Sequence, residues 1–194
     1  MVYSAISRSA PSLHGIDWLA IELISGFPAG RGLIAVPQDA TLRLRIPAEH
    51  YRDVLTLAGK RLDIGGHQIR LGLPQVHPLE PAPSLYARVV TVKKFTEADP
   101  FMDAVKRKLD SFGVKGRVEL PRYEQGRYRR RIITIHGKSV VGFSVAVHDL
   151  SDEASLVLQA GAVKVMFTEN NHYKWQSIFS RRPMGCGIFN RIFD

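Results

Sequence analysis

The chain has 194 residues, 45% of them hydrophobic, and carries 27 Lys plus Arg against 18 Asp plus Glu, a formal net charge of +9. That length supports one sizeable core or two small ones, and the surplus positive charge favours polyanionic partners through counterion release. The single cysteine, Cys186, excludes an intramolecular disulfide framework and a Cys-rich zinc site, and no run approaches the ~18 apolar residues of a membrane-spanning helix. The start, MVYSAISRSAPSLHG, lacks the charged and apolar regions of a signal peptide. A cytoplasmic protein with no membrane partner is expected.

Residues 2–10 are helix-compatible, with Val2, Ile6 and Ala10 on one side, and Pro11 ends them. Asp17 to Ile24 is strongly apolar and is broken by Gly26, Pro28, Gly30 and Gly32. Leu33 to Val36 reads as a strand. In Thr41 to Pro47 the apolar Leu42, Leu44 and Ile46 alternate with Arg43 and Arg45, which would share either a wet sheet face or a nucleic-acid contact. Ala48 to Leu57 reads as a helix closed by Gly59. Arg61 to Ile64 and Gln68 to Leu73 read as strands joined at Gly65-Gly66. Pro78 to Ser84 holds three prolines in seven residues and reads as a linker.

The pattern then restarts. Leu85 to Val92 is a β-branched strand. Thr96 and Asp99 make a capping box for a helix to Phe112, stopped by Gly113. Arg131 to Ile135 and Val140 to Val147 are strands around a tight turn at Gly137. Ser151 caps a helix to Gln159, closed by Gly161. Ile188 to Phe193 is the last strand. The second half is therefore β-α-β-β-α-β, the ferredoxin-like order, and the first is the same unit without its opening strand. The expected fold is α+β: tandem ferredoxin-like (RRM-like, βαββαβ) domains over 1–77 and 85–194, with the linker at 78–84.

Two segments concentrate basic charge. Arg122, Arg127, Arg129, Arg130 and Arg131 are five arginines in ten residues, interleaved with Tyr123 and Tyr128. Arginine with tyrosine grips a phosphate backbone and stacks unpaired bases; the plainer alternative is a solvated hairpin end. The tail RRPMGCGIF, Arg181 to Phe189, joins Arg181 and Arg182 to Gly185 and Gly187. Forked donors and glycine backbone N–H groups suit a phosphate. Neighbouring arginines would lower the Cys186 thiol pKa, although a small residue inside a tight turn is the preferred reading of the position.

Of seven histidines, His14 sits in a loop beside Gly15, where general acid–base work is feasible. His136 lies in a turn, His67 follows Gly-Gly, His77 is in the linker, and His50 and His148 lie at element ends. No HxH or HxxxH pattern suggests a metal. No GxxxxGK[ST], GxGxxG or GxSxG motif appears, so no nucleotide cofactor is expected.

Several segments together resemble the CRISPR repeat-processing endoribonucleases of the RAMP superfamily, most closely the MYXAN-subtype group. They are PSLHG (11–15), TLRLRIP, LAGKRLDIGG (57–66), YARVVTVKKFTEADPF (86–101), GKSVVGFSVAVHDLSDEASLVLQ (137–159) and RRPMGCGIF. The resemblance implies two ferredoxin-like domains and metal-free cleavage of the CRISPR precursor within each repeat. In that reaction the 2′-hydroxyl attacks the adjacent phosphate, giving a 2′,3′-cyclic phosphate and a 5′-hydroxyl. It implies catalysis by His14, in the loop after the first helix, with Tyr3 as a second candidate. It further implies RNA contacts by Arg181, Arg182, Gly185 and Gly187, to which the basic run and Lys138 add. The expected partners are the repeat stem-loop and other CRISPR effector subunits, with no cofactor.

The sequence departs from the family in two places. It opens inside the expected first helix, so either the start is truncated or a neighbouring subunit covers that sheet edge. An insert at 162–180, with His172, Tyr173, Lys174 and Trp175, extends an RNA or partner surface, or forms a hairpin with an unremarkable tip. A non-catalytic subunit holding the repeat hairpin in a CRISPR effector or transposon-associated complex is the alternative function, and a generic tandem RNA-recognition module a weaker third.

Overall fold

The computed structural model describes residues 2–22, 24, 26–30, 33–135, 137–167 and 172–192. His136, Gly32 and Phe193, which the sequence reading invoked, lie outside them. The chain divides into two compact units, Met1–Pro74 with Pro183–Gly185, and Gln75–Arg182 with Cys186–Asp194.

In the first unit, helix α1 (Val2–Ser9) buries Ala5 and Ile6, and Ala10 follows them inward. Basic residues close its C-terminal end, where unpaired carbonyls carry partial negative charge. Lys60 donates to the Ser9 carbonyl, and Arg8 to the carbonyl of Asp63. A 3-10 turn, Pro11–Leu13, buries Leu13. Strands β1 (Ala20–Ile21) and β4 (Leu44–Arg45) pair antiparallel. Between them in sequence, β2 (Phe27–Pro28) and β3 (Ile34–Ala35) form a hairpin. Helix α2 (Tyr51–Leu55) follows a 3-10 turn over Ala48–His50, so the expected ten-residue helix is split. The expected hairpin at Gly65-Gly66 joins β5 (Arg61–Ile64) to β6 (His67–Arg70).

The second unit has the ferredoxin-like sheet. Its strands are β7 (Leu85–Val90), β8 (Arg117–Glu119), β9 (Arg130–Ile135), β10 (Lys138–His148) and β13 (Asn190–Arg191), ordered β13-β7-β10-β8, with β9 also on β10. Helix α3 (Ala98–Asp110) places Phe101, Val105 and Leu109 on one face at i, i+4, i+8. Helix α4 (Asp152–Ala160) adds Ala154 and Leu158. Both pack on Leu85, Ala87, Val90, Phe143, Val145 and Val147 of the central strands. Ser151 caps α4 by accepting from the Ala154 N–H at 3.2 Å, as its sequence position implies.

The capping box at Thr96 does not form. Helix α3 starts one residue later, from Glu97, without a side-chain cap. Its third position is then Pro100, which has no N–H for a cap to accept.

The long β10 pairs through its first six residues with β9 and through its last three with β8. The second strand of the ferredoxin unit is thus interrupted, and the chain leaves the ladder between its two pieces, returning where the Ser144 N–H donates to the Arg129 carbonyl at 3.0 Å. The sequence reading missed β8, a three-residue strand too short to show alternation. Gly116 marks its approach: a Cβ there would sit 2.7 Å from the His148 carbonyl oxygen. After α4, β11 (Ala162–Phe167) and β12 (His172–Ser177) form a separate antiparallel hairpin from the 162–180 insert.

Candidate active site and nucleic-acid interface

Tyr3 lies in the first turn of α1 and His14 directly after the 3-10 turn. Buried Leu13 and Trp18 anchor the loop on either side of His14. The His14 N–H donates to the Pro11 carbonyl at 3.0 Å, and Gly15 adopts a φ of 70°, a left-handed conformation that favours glycine. The result brings together two residues 11 apart in sequence. Tyr3 Oη lies 3.4 Å from His14 Nδ1 and accepts the Gly15 N–H at 2.8 Å. The two rings stack with centroids 5.9 Å apart and planes 15° apart.

This arrangement has a definite chemistry. The Tyr3 hydroxyl holds the imidazole through Nδ1 and fixes the loop through Gly15. His14 is exposed, so Nε2 can face a substrate. When Tyr3 donates to Nδ1, Nε2 carries the proton; when Nδ1 donates to Tyr3, Nε2 is the base. The 3.4 Å separation is at the long limit of a hydrogen bond.

His50 shows a pairing that the sequence reading passed over: its Nδ1 lies 2.9 Å from Asp53 Oδ2, and its ring stacks on Trp18 at 4.2 Å. The i, i+3 spacing of His50 and Asp53 was its signal. His148 is likewise engaged, with Nδ1 2.9 Å from Ser84 Oγ and Nε2 3.6 Å from Glu119. Among the described residues no group of three or more His, Cys, Asp or Glu could hold a metal.

In the second unit the interruption between β8 and β9 carries the basic run. An antiparallel bridge between Arg122 and Tyr128 and a hydrogen bond from the Tyr123 N–H to the Arg127 carbonyl close the turn, with Gly126 at φ 79°. Arg122 lies over the Tyr128 ring, 4.0 Å from its centroid, and donates to Tyr128 Oη at 2.6 Å and to the Gly126 carbonyl at 3.0 Å. Arg129 lies 5.4 Å from the Tyr123 centroid. Each such cation–π contact is worth about 0.5–1 kcal/mol at an exposed site. Arg122, Arg127, Arg130 and Lys138 are exposed, while Arg129 and Arg131 are half-buried. Two of the five guanidinium donors of Arg122 serve these two hydrogen bonds, and a phosphate can approach the others.

Arg45 differs from its neighbour Arg43. It is a half-buried partner of Glu22, with N···O distances of 3.0 Å, and burial lowers its pKa. Arg43 is exposed. Arg45 is thus held by Glu22, while Arg43, close enough to add its own charge to the lowering, faces water.

The glycine-rich tail is turned largely inward. Arg182 is 1% exposed, and its guanidinium donates to the Ala160 carbonyl at the end of α4. It packs against Gly161, where a Cβ would sit 2.9 Å from Arg182 Nε. A guanidinium held there caps a helix rather than meeting a phosphate. Gly187 is also spent internally: its N–H donates to the Val89 carbonyl at 2.8 Å, and a Cβ there would sit 2.5 Å from Phe179 Cβ. Gly185 is buried. Arg181 remains half-buried and donates to Ser180 Oγ at 3.4 Å. Cys186 is fully buried, and burial pushes its thiol up to about 11 against the smaller opposing pull of Arg181. The expected lowering of its pKa is therefore reversed, and a small residue in a tight turn describes it.

The fold and site define an α+β chain with a histidine–tyrosine pair in one unit and an arginine–tyrosine turn on a ferredoxin-like sheet in the other. The sequence matches the family described as Cas6 Crispr over residues 1–163. It is 36% identical over 189 residues to the CRISPR-associated endonuclease Cas6 of Myxococcus xanthus strain DK1622, an alignment covering 97% of this chain and 72% of that protein. The chain belongs to the Cas6 family. No helix among the described residues is long and apolar enough to cross a membrane.

Proposed function

We propose that this chain is a metal-independent endoribonuclease that cleaves CRISPR precursor RNA within each repeat. The observation that carries the reading is the hydrogen bond between Tyr3 and His14, which joins the two candidate catalytic residues. His14 Nε2 takes the proton of the 2′-hydroxyl or returns one to the leaving 5′-oxygen, with Tyr3 holding the ring in register. The 2′-oxygen attacks phosphorus in line, the bond from phosphorus to the 5′-oxygen breaks, and a 2′,3′-cyclic phosphate and a 5′-hydroxyl result. Arg122, Arg127, Arg129, Arg130, Arg131, Lys138 and Arg181 hold the ribose-phosphate chain of the repeat stem-loop. The protein works in the cytoplasm and stays bound to the repeat hairpin, with other CRISPR effector subunits as its partners.

The test is incubation with a repeat transcript in EDTA, followed by analysis of the product ends. Cyclic-phosphate-ended RNA is expected, and His14→Ala should slow its formation by about 10²–10⁴-fold while stem-loop affinity stays unchanged. Tight binding by the wild-type chain with no cleavage would overturn the proposal in favour of a subunit that only holds the repeat hairpin.

A further inference from the structure

The β11–β12 hairpin presents one face whose composition the cleavage reading does not use. Lys164 lies directly opposite Trp175 in the ladder, and Tyr173 is two residues further along, so all three share one side. The Lys164 ammonium lies 5.7 Å from the Tyr173 centroid and 5.9 Å from that of Trp175. Tyr173 is 53% exposed, and Trp175 is half-buried. The described strands carry a second lysine, Lys174, and no acidic residue.

Two rings beside an ammonium offer a π face for a base and a cation for its phosphate. A protein partner fits this surface less well, because lysine is depleted at protein interfaces even where aromatics are enriched. We propose that this hairpin face is a binding site for unpaired RNA, stacking a base of the single-stranded segment that flanks the repeat stem on Tyr173 and Trp175, with Lys164 on the adjoining phosphate. The proposal rests on the RNA-processing reading but concerns a different part of the RNA from the stem-loop.

The experiment compares affinities for the bare stem-loop and for the same stem-loop with an unpaired flank. Intrinsic tryptophan emission is read in parallel on the unpaired oligonucleotide alone. Trp18 is buried, so quenching reports Trp175. The flank should add roughly tenfold in affinity, the effect of about one stacked base. Tyr173→Ala and Lys164→Met should abolish that gain without changing affinity for the bare stem-loop or the melting temperature. A flank that adds nothing, or variants that keep its gain or weaken both RNAs equally, would overturn the proposal. Quenching by the unpaired oligonucleotide without any preference for the stem-loop would instead sink the cleavage reading and leave the hairpin site standing.

Discussion

In the turn between β8 and β9, Arg122 lies at the surface over Tyr128, whereas after β12 Arg182 is buried against the end of α4. Both belong to arginine clusters with nearby glycine, and both clusters look like phosphate grips in sequence. They differ in where the backbone donors and acceptors go. The turn residues leave the ladder, so their side chains meet water. The tail threads back along β7 through the Gly187–Val89 hydrogen bond, so its arginine finds a helix carbonyl before it finds an anion. Charge density tells how many cations a segment has; the local hydrogen-bond accounting decides what they are for.

The comparison breaks most visibly at Arg182. Arg182→Ala should destabilise the fold by about 2–4 kcal/mol, through the lost charged hydrogen bond and the cavity left behind, measured by denaturant unfolding. A variant of unchanged stability and weakened RNA binding would reverse the assignment. The converse holds in the turn. Arg122→Ala with Arg129→Ala should lower stem-loop affinity about tenfold and reduce the salt slope by about 2, with stability lowered by about 1–2 kcal/mol through the two lost cation–π contacts. Affinity measured against salt concentration checks this.

The smallest effect sharpens the picture of the tail as interior. The Cys186 pKa is raised from 9.0 to about 11, so the folded state favours the protonated thiol. Its contribution to stability is complete below pH 9 and is lost as pH rises through about 11. Unfolding free energy should therefore fall over that window, and Cys186→Ala should flatten the fall. At neutral pH the thiol should resist iodoacetamide until the chain is denatured.

Much of the fold was legible because its signals are local. Val2, Ile6 and Ala10 define α1 by spacing; Ser151 and Gly161 bracket α4; Gly65-Gly66 makes its hairpin. The β-α-β-β-α-β order gave the second unit its sheet. What escaped depended on contacts distant in sequence. Strand β8 exists because β10 is long enough to pair with two segments. The helix that Thr96 was expected to cap begins after Glu97 instead. Of the site, Tyr3 and His14 stood out as residue types at family positions, but only folding puts them on one hydrogen bond. The roles of Arg182 and Gly187 were illegible, since their partners Ala160 and Val89 lie 22 and 98 residues away.

The interrupted strand has a consequence for how such a protein changes over time. Because β8 and β9 are each registered on β10, the segment between them is clamped at both ends to one rigid rail. Its exposed residues, Arg122 to Arg127, can be exchanged as a tool bit is swapped in a fixed chuck, while Leu120 and Tyr128 stay packed on the core. Transplanting residues 122–127 between relatives should therefore carry over preference for one repeat stem over another while the scaffold stays as it was.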